Sequence, residues 1–215
     1  MFDLDGTLLD TLESIRYNVN YTLQKYNIEP ISSDECRRFV GDGAKKLMER
    51  VFDLRGISDT SRRGEIYESF FKRYNENPDY LVKPYDGIPE LIERLLKSGA
   101  ILAVVSNKPK RAAEISVQRF FADSFSVVSG GVDGQPLKPD PTVALRVLSE
   151  LGLSPSECAY IGDSEVDMKT GKNMNAAVTV GVSWGFRDAK LLLESGADSV
   201  VDTPNEIRET VEAIC

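Results

Sequence analysis

The chain contains no histidine, which removes more chemistry than any other feature of its composition. Ser-His and Cys-His nucleophile pairs are excluded, as is His-ligated zinc, so proton transfer falls to carboxylates or lysine. Cysteine is scarce: Cys36, Cys158 and Cys215 are far apart, odd in number and without CxxC spacing. They predict neither a disulfide framework nor a zinc site, and a reduced, cytoplasmic setting is expected. Cys158 opens the apolar run Cys158-Ala159-Tyr160-Ile161 and reads as a buried structural thiol. No apolar stretch reaches bilayer-spanning length and no signal-peptide pattern precedes Asp3, so no membrane partner is expected. Basic residues are the minority, 26 against 34 acidic, for a net charge of −8. That balance opposes nonspecific nucleic-acid binding, which needs clustered Lys and Arg, but leaves room for a small anionic substrate held by a few local donors.

What is present is ordinary globular material: 215 residues, 41% apolar and 28% charged, enough for one large domain or a core with an insert. From about residue 85 onward, short apolar runs alternate with helical stripes. Ile88, Leu91, Ile92, Leu95 and Leu96 predict a helix stopped by Gly99, and Ile101 to Val105 a strand buried on both faces. Val143, Ala144, Val147, Leu148 and Leu151 predict a helix ended at Gly152, and Ile207, Val211 and Ile214 a closing helix. Cys158 to Ile161, Ala177 to Val182 and Ser199 to Val201 predict further strands. This rhythm predicts an α/β fold, a Rossmann-like parallel sheet with helices on both faces. Between about 12 and 80 the pattern is helical only: Ile15, Val19, Leu23 and Tyr26; Leu47, Val51 and Leu54; Ile66, Phe70 and Tyr74. The expected organisation is a core of 1–12 and 82–215 with a small helical cap, 13–81, inserted after the first strand. Inserts there lie over the ligand crevice of an open sheet.

Chemistry-bearing residues gather at the predicted strand ends. In Asp3-Leu4-Asp5-Gly6-Thr7, the two carboxylates leave an extended segment on one side. They repel unless a cation or a proton lies between them, so the pair suits metal binding, one ionised and one protonated acid, or a plain turn. Ser106, Asn107 and Lys108 follow the apolar run ending at Val105, suiting an anion or a helix cap. Lys138 precedes Pro139-Asp140-Pro141, which predicts an extended backbone. Gly162-Asp163-Ser164-Glu165-Val166-Asp167 places three acids in five residues, a divalent-cation site or a helix N-terminal cluster.

In this order, Asp-x-Asp-Gly-Thr, then Ser106, then Lys138-Pro139, then Gly162-Asp163-x-x-x-Asp167, the motifs resemble the haloacid dehalogenase superfamily over essentially the whole chain. The resemblance implies a nucleophile, Asp3, that forms an aspartyl-phosphate, and a general acid–base, Asp5. It implies phosphoryl-oxygen binding by Ser106 and Lys138, beside Asn107, with Thr7 supporting the first loop. It implies Mg²⁺ held by Asp3, Asp163 and the Asp5 backbone carbonyl, with Asp167 ordering the site. The superfamily's dehalogenases lack an acid at the Asp5 position and need no metal, so Asp5, Asp163 and Asp167 favour phosphoryl transfer.

Leu9-Asp10-Thr11 resembles the hinge of members with a helical cap. Phe39-Val40-Gly41-Asp42-Gly43-Ala44 resembles the cap loop of bacterial phosphoglycolate phosphatases, as does Ser183-Trp184-Gly185-Phe186-Arg187 near the end. Gly41, Asp42 and Gly43 are therefore expected at the substrate, a small phosphorylated metabolite with 2-phosphoglycolate as the first choice; a turn capped by Asp42 is the plain alternative. Related pyrophosphatases, nucleotidases and phosphosugar phosphatases share these features, and a phosphosugar mutase would share the core but return the phosphoryl group to its substrate. A response-regulator receiver or a non-catalytic binding protein fits less well, given the helical insert and the intact acid set. Only Met1 and Phe2 precede Asp3, where the family has a full central strand, so a truncated or misassigned start is expected. A short apolar extension would then raise stability and activity.

Overall fold

The computed structural model describes residues 1–212; Cys215 and Ile214 lie outside the described residues. After the first motif come β1 (Leu9–Asp10), then the helices α1 (Leu12–Lys25), α2 (Ser33–Phe39), α3 (Ala44–Leu54) and α4 (Thr60–Glu76). The chain re-enters the core through β2 (Lys83–Pro84), α5 (Ile88–Lys97), β3 (Ala103–Pro109) and α6 (Lys110–Phe121). It continues through β4 (Val127–Gly131), α7 (Thr142–Leu151), β5 (Ala159–Gly162), α8 (Glu165–Asn173), β6 (Val178–Val182), α9 (Ala189–Glu194), β7 (Ser199–Val201) and α10 (Pro204–Glu212).

β3 pairs in parallel with β4, and β5, β6 and β7 form a second parallel set. Residues 1–3 join the two. Phe2 bridges Val104 on one side and Ile161 on the other, both in parallel. The Asp3 N–H donates to the Ile161 carbonyl at 2.9 Å, and the Phe2 carbonyl accepts from the Val105 N–H at 2.9 Å. Short as it is, this segment has backbone partners on both flanks. The sheet therefore reads β4, β3, residues 1–3, β5, β6, β7, with its centre where successive connections leave in opposite directions, the place where such sheets bind ligands.

Alternation assigns the two faces. Phe2, Val104, Ile161 and Val180 face α5, α6 and α10 in one apolar cluster, whereas Met1, Ala103, Val105 and Tyr160 face α7 in another. The helical insert has a third cluster, built on Val19, Leu23, Met48, Val51, Ile66 and Phe70, which draws in Ala112 and Phe186 from the core. Deleting one such fully buried side chain to Ala costs about 2–5 kcal/mol, so the cap carries substantial cohesion of its own. The antiparallel pair β1–β2 lies where the chain leaves and re-enters the core. Cys36 and Cys158 are free and buried, and burial pushes the Cys36 thiol up to about 12. No helix among the described residues is long and apolar enough to cross a membrane.

One local expectation needs correction: the strand expected at Ile101–Val105 begins at Ala103 and runs on through Ser106, Asn107 and Lys108, all buried. The edge strand β4 has no counterpart in the sequence reading. The Lys138–Pro139 peptide is cis.

Candidate active site

The ends of the central segment, β3 and β5 converge on one crevice. Asp3 emerges from the first, Ser106 to Lys108 close the second, and Gly162 hands over to Asp163 and Ser164 at the start of α8. Asp3, Asp163 and Asp167 are buried, and each offers an oxygen within 4.8 Å of the others. The backbone is cut to fit them. Gly6 turns at a φ of +85°, and a Cβ there or at Gly185 would collide with the Asp163 carboxylate.

Each carboxylate is oriented by separate donors. The Thr7 hydroxyl donates to Asp163 Oδ1 at 2.9 Å and the Phe186 N–H to Asp163 Oδ2 at 2.8 Å. Thr7 thus orients an acid rather than lining the cavity. Asp167 divides its oxygens: Oδ2 accepts from the Ser164 N–H at 3.1 Å and from the Ser164 hydroxyl, completing the capping box of α8, and Oδ1 accepts from Lys138 Nζ at 2.7 Å. Lys138 Nζ also lies 2.7 Å from Asp3 Oδ1. That contact is a charge pair off hydrogen-bond alignment, which leaves Asp3 Oδ1 buried without a hydrogen bond.

Three acids facing one ammonium group leave surplus negative charge in a dry place. Burial, then the Asp167 charge, push the Asp3 carboxyl up to about 6 against the pull of Lys138. Burial and the charges of Asp167 and Asp3 hold Asp163 well above the usual carboxylate range. Burial opposes the charge on Lys138, yet Asp167 and Asp3 keep it well above the ordinary lysine value. An all-oxygen donor set with uncompensated charge and an oxygen lacking a hydrogen bond fits a hard divalent cation.

Asp5 faces the other way. Its carboxylate accepts from Lys108 Nζ at 2.9 and 3.3 Å, and Lys108 donates also to the Tyr74 hydroxyl of α4 at 2.6 Å. Its carboxylate is not in the three-acid cluster. Asp3, Asp5, Ser106, Asn107, Lys108 and Asp163 share a small cavity, partly open to solvent, with Gly41, Gly43 and Ala44 of the insert above them. Apolar Ile15, Val40, Leu47, Phe70 and Phe186 complete the wall. Among the described residues lining it, Lys108 is the only cation. Asn107 binds loops together: Nδ2 donates to the carbonyls of Gly41 at 3.0 Å and Lys138 at 3.1 Å, and Oδ1 accepts from the Lys138 N–H at 2.9 Å. Gly43, with φ +88°, lets the loop pass close to Asn107, where a side chain would crowd the backbone. Asp42 does not join this group. Its carboxylate pairs with Arg50 on α3, outside the cavity wall.

The sequence places Lys108 beside Ser106 without giving its side chain a role, and it does not bring Tyr74 to the site. A signal for Lys108 exists, since in an extended segment Ser106 and Lys108 share a face. Tyr74 gave none, because its spacing with Ile66 and Phe70 is that of a helix core.

A family model for haloacid dehalogenase-like hydrolases matches residues 1–181. An N-acetylmuramic acid 6-phosphate phosphatase of Pseudomonas aeruginosa is 33% identical over 100% of this chain and 95% of its own length. A phosphoglycolate phosphatase of Aquifex aeolicus is 33% identical, covering 86% of this chain and 84% of that protein. The crystal structure of a predicted phosphoglycolate phosphatase from Haemophilus somnus superposes with a TM-score of 0.90 at 27% identity, covering 97% of this chain and 95% of that one. The chain belongs to the haloacid dehalogenase-like hydrolases. Within that family it is phosphoglycolate phosphatase-like, an enzyme of the phosphoric monoester hydrolase class.

Proposed function

We propose that the protein is a Mg²⁺-dependent phosphatase of a small phosphomonoester, 2-phosphoglycolate foremost, acting through an aspartyl-phosphate on Asp3. The observation that carries this reading is the position of Asp3: at the end of the sheet's central segment, open to the cavity, 2.7 Å from Lys138 Nζ and beside Asp163 and Asp167. Asp3 and Asp163 would hold the cation, with the Asp5 backbone carbonyl, and Asp167 would order the pair. When bound, the cation would draw charge from the phosphoryl oxygens and relieve their repulsion with the attacking carboxylate.

An Asp3 oxygen attacks phosphorus as the bond to the leaving oxygen breaks, and Asp5, which must first take up a proton in place of its pairing with Lys108, passes that proton to the leaving oxygen. Asp5, now a carboxylate, takes a proton from water as the water oxygen attacks phosphorus. The Asp3–phosphorus bond breaks and inorganic phosphate leaves. Lys138, behind the cavity wall against Asp3, would offset charge at the phosphoryl group, and the Ser106 hydroxyl would bind a phosphoryl oxygen; Ser106 Oγ accepts the Lys108 N–H at 3.3 Å, which keeps its own proton for donation.

The domain division at 12/13 and 81/82 is part of this proposal, with β1–β2 as the crossing between core and cap. A cytoplasmic setting accords with the free buried thiols. A second reading has one specific support. A broad surface cleft adjoins the cavity through Ala44, Asn107 and Pro109 and could seat a sugar-acid phosphate. Phosphate release from phosphoglycolate, N-acetylmuramic acid 6-phosphate, nucleotides, pyrophosphate and sugar phosphates, each with Mg²⁺ and with chelator, decides. The highest kcat/KM is expected on phosphoglycolate, with Mg²⁺ required and no bisphosphate activator needed. Release from none of them, or release indifferent to chelator, would overturn the proposal.

A further inference from the structure

The segment Trp184–Arg187 touches three parts of the protein at once. The Trp184 indole N–H donates to the Thr7 carbonyl at 3.1 Å, and the Phe186 N–H holds Asp163 at 2.8 Å. The Phe186 ring leaves the core and packs into the apolar cluster of the cap. Arg187 then spreads its guanidinium over three partners. Nε donates to Glu165 Oε2 of α8 at 2.9 Å, Nη1 to the Arg37 carbonyl at 2.7 Å and Nη2 to the Val40 carbonyl at 2.9 Å. The cap answers in kind, since Arg37 Nη1 donates to the Gly185 carbonyl at 3.0 Å. With Asn107 gripping the next carbonyl, Gly41 at 3.0 Å, two core side chains hold consecutive peptide groups of the loop that roofs the cavity.

We propose that Arg187 is a positioning residue for catalysis, which fixes the Val40–Gly43 loop over the reacting carboxylates from outside the cavity. The argument is geometric. The loop's glycines at 41 and 43 take φ of +118° and +88°, so its own backbone does little to define one path. A planar fork with donors in fixed directions can fix two carbonyls while a carboxylate fixes the fork, a task lysine's single ammonium cannot perform. Glu165 supplies that carboxylate from the first turn of α8, the helix whose N-terminal cap contains Asp167. The roof is thereby referenced to the same helix that orders the acids beneath it. Arg187 touches neither substrate nor reacting atoms in this arrangement; it acts through the loop.

The inference rests on the cavity being the active site, and its test separates the two claims. Arg187→Ala and Arg187→Lys are compared with wild type by steady-state kinetics on whichever phosphomonoester the wild type turns over best. Amide hydrogen exchange is followed on the same proteins without substrate. Both variants should raise KM about tenfold with kcat changed much less, a split that follows when binding geometry rather than the chemical step is lost. Exchange of the amides at 41–44 should quicken at least about fivefold while those of α7 and β5 stay as they were. Wild-type KM together with unchanged exchange in the loop would overturn the proposal, and so would a uniform rise in exchange across cap and core. A wild type that releases no phosphate from any substrate would overturn the functional reading instead, leaving exchange alone to decide on Arg187.

Discussion

The two buried lysines of the site keep different company. Lys138 is held by core residues alone: Asp3, Asp167 and, through its backbone, Asn107. Lys108 is shared, with Asp5 from the core on one side and Tyr74 from the cap on the other. Both remain charged because buried partners outweigh the cost of burial. On the proposed mechanism, the end that would hold the phosphoryl group is built within the sheet's own loops, whereas the end that would face the leaving group also needs a residue of the cap.

That contrast orders the expected effects of substitution. Asp3→Asn removes the proposed nucleophile and should lower kcat by on the order of 10⁴-fold or more, with circular dichroism unchanged. Lys138→Met should cost on the order of 10²–10³-fold in kcat/KM. It should also destabilise the fold by about 3 kcal/mol in urea unfolding, because Asp3 and Asp167 would lose their buried counter-charge. Tyr74→Phe deletes only the cap's hydroxyl. It should lower kcat/KM roughly tenfold and stability by about 1.5 kcal/mol, the worth of one hydrogen bond to a charged group. Equal losses for Lys138→Met and Tyr74→Phe would break the distinction between the two ends. Asp42→Asn should change kcat/KM less than about twofold, since its carboxylate pairs with Arg50 on a partly exposed face; a large loss there would move the selective surface outward.

Much of the core half was legible because its chemistry follows apolar runs. Val105 precedes Ser106, and Ile161 precedes Gly162-Asp163, so the crevice could be placed before any coordinates. The boundary of β3 was not legible, because Ser106, Asn107 and Lys108 look like a loop until their buried partners are known: Lys138 and Gly41 for Asn107, Asp5 and Tyr74 for Lys108. β4 was hidden for a related reason. It contains Gly130, an uncommon residue inside a strand, which is glycine because the backbone at Lys108 and Lys110 leaves no room for a Cβ. In the loop at 41–43, Gly41 and Gly43 line the cavity while the Asp42 carboxylate pairs with Arg50, a division that the sequence pattern does not signal. The shared Lys108–Tyr74 pair could not be read at all, because a tyrosine hydroxyl at the edge of a helical stripe gives no periodic signal.

The central claim is that Asp3 itself carries the phosphoryl group, and one trapping experiment addresses it directly. The enzyme is quenched in acid during turnover with Mg²⁺, reduced with borohydride, and its N-terminal peptide sequenced by mass spectrometry. An acyl phosphate on Asp3 would be reduced to the alcohol, leaving homoserine at position 3, and that is the result expected. Robust phosphate release with Asp3 unmodified and the reduction found at another carboxylate, or at none, would contradict the account.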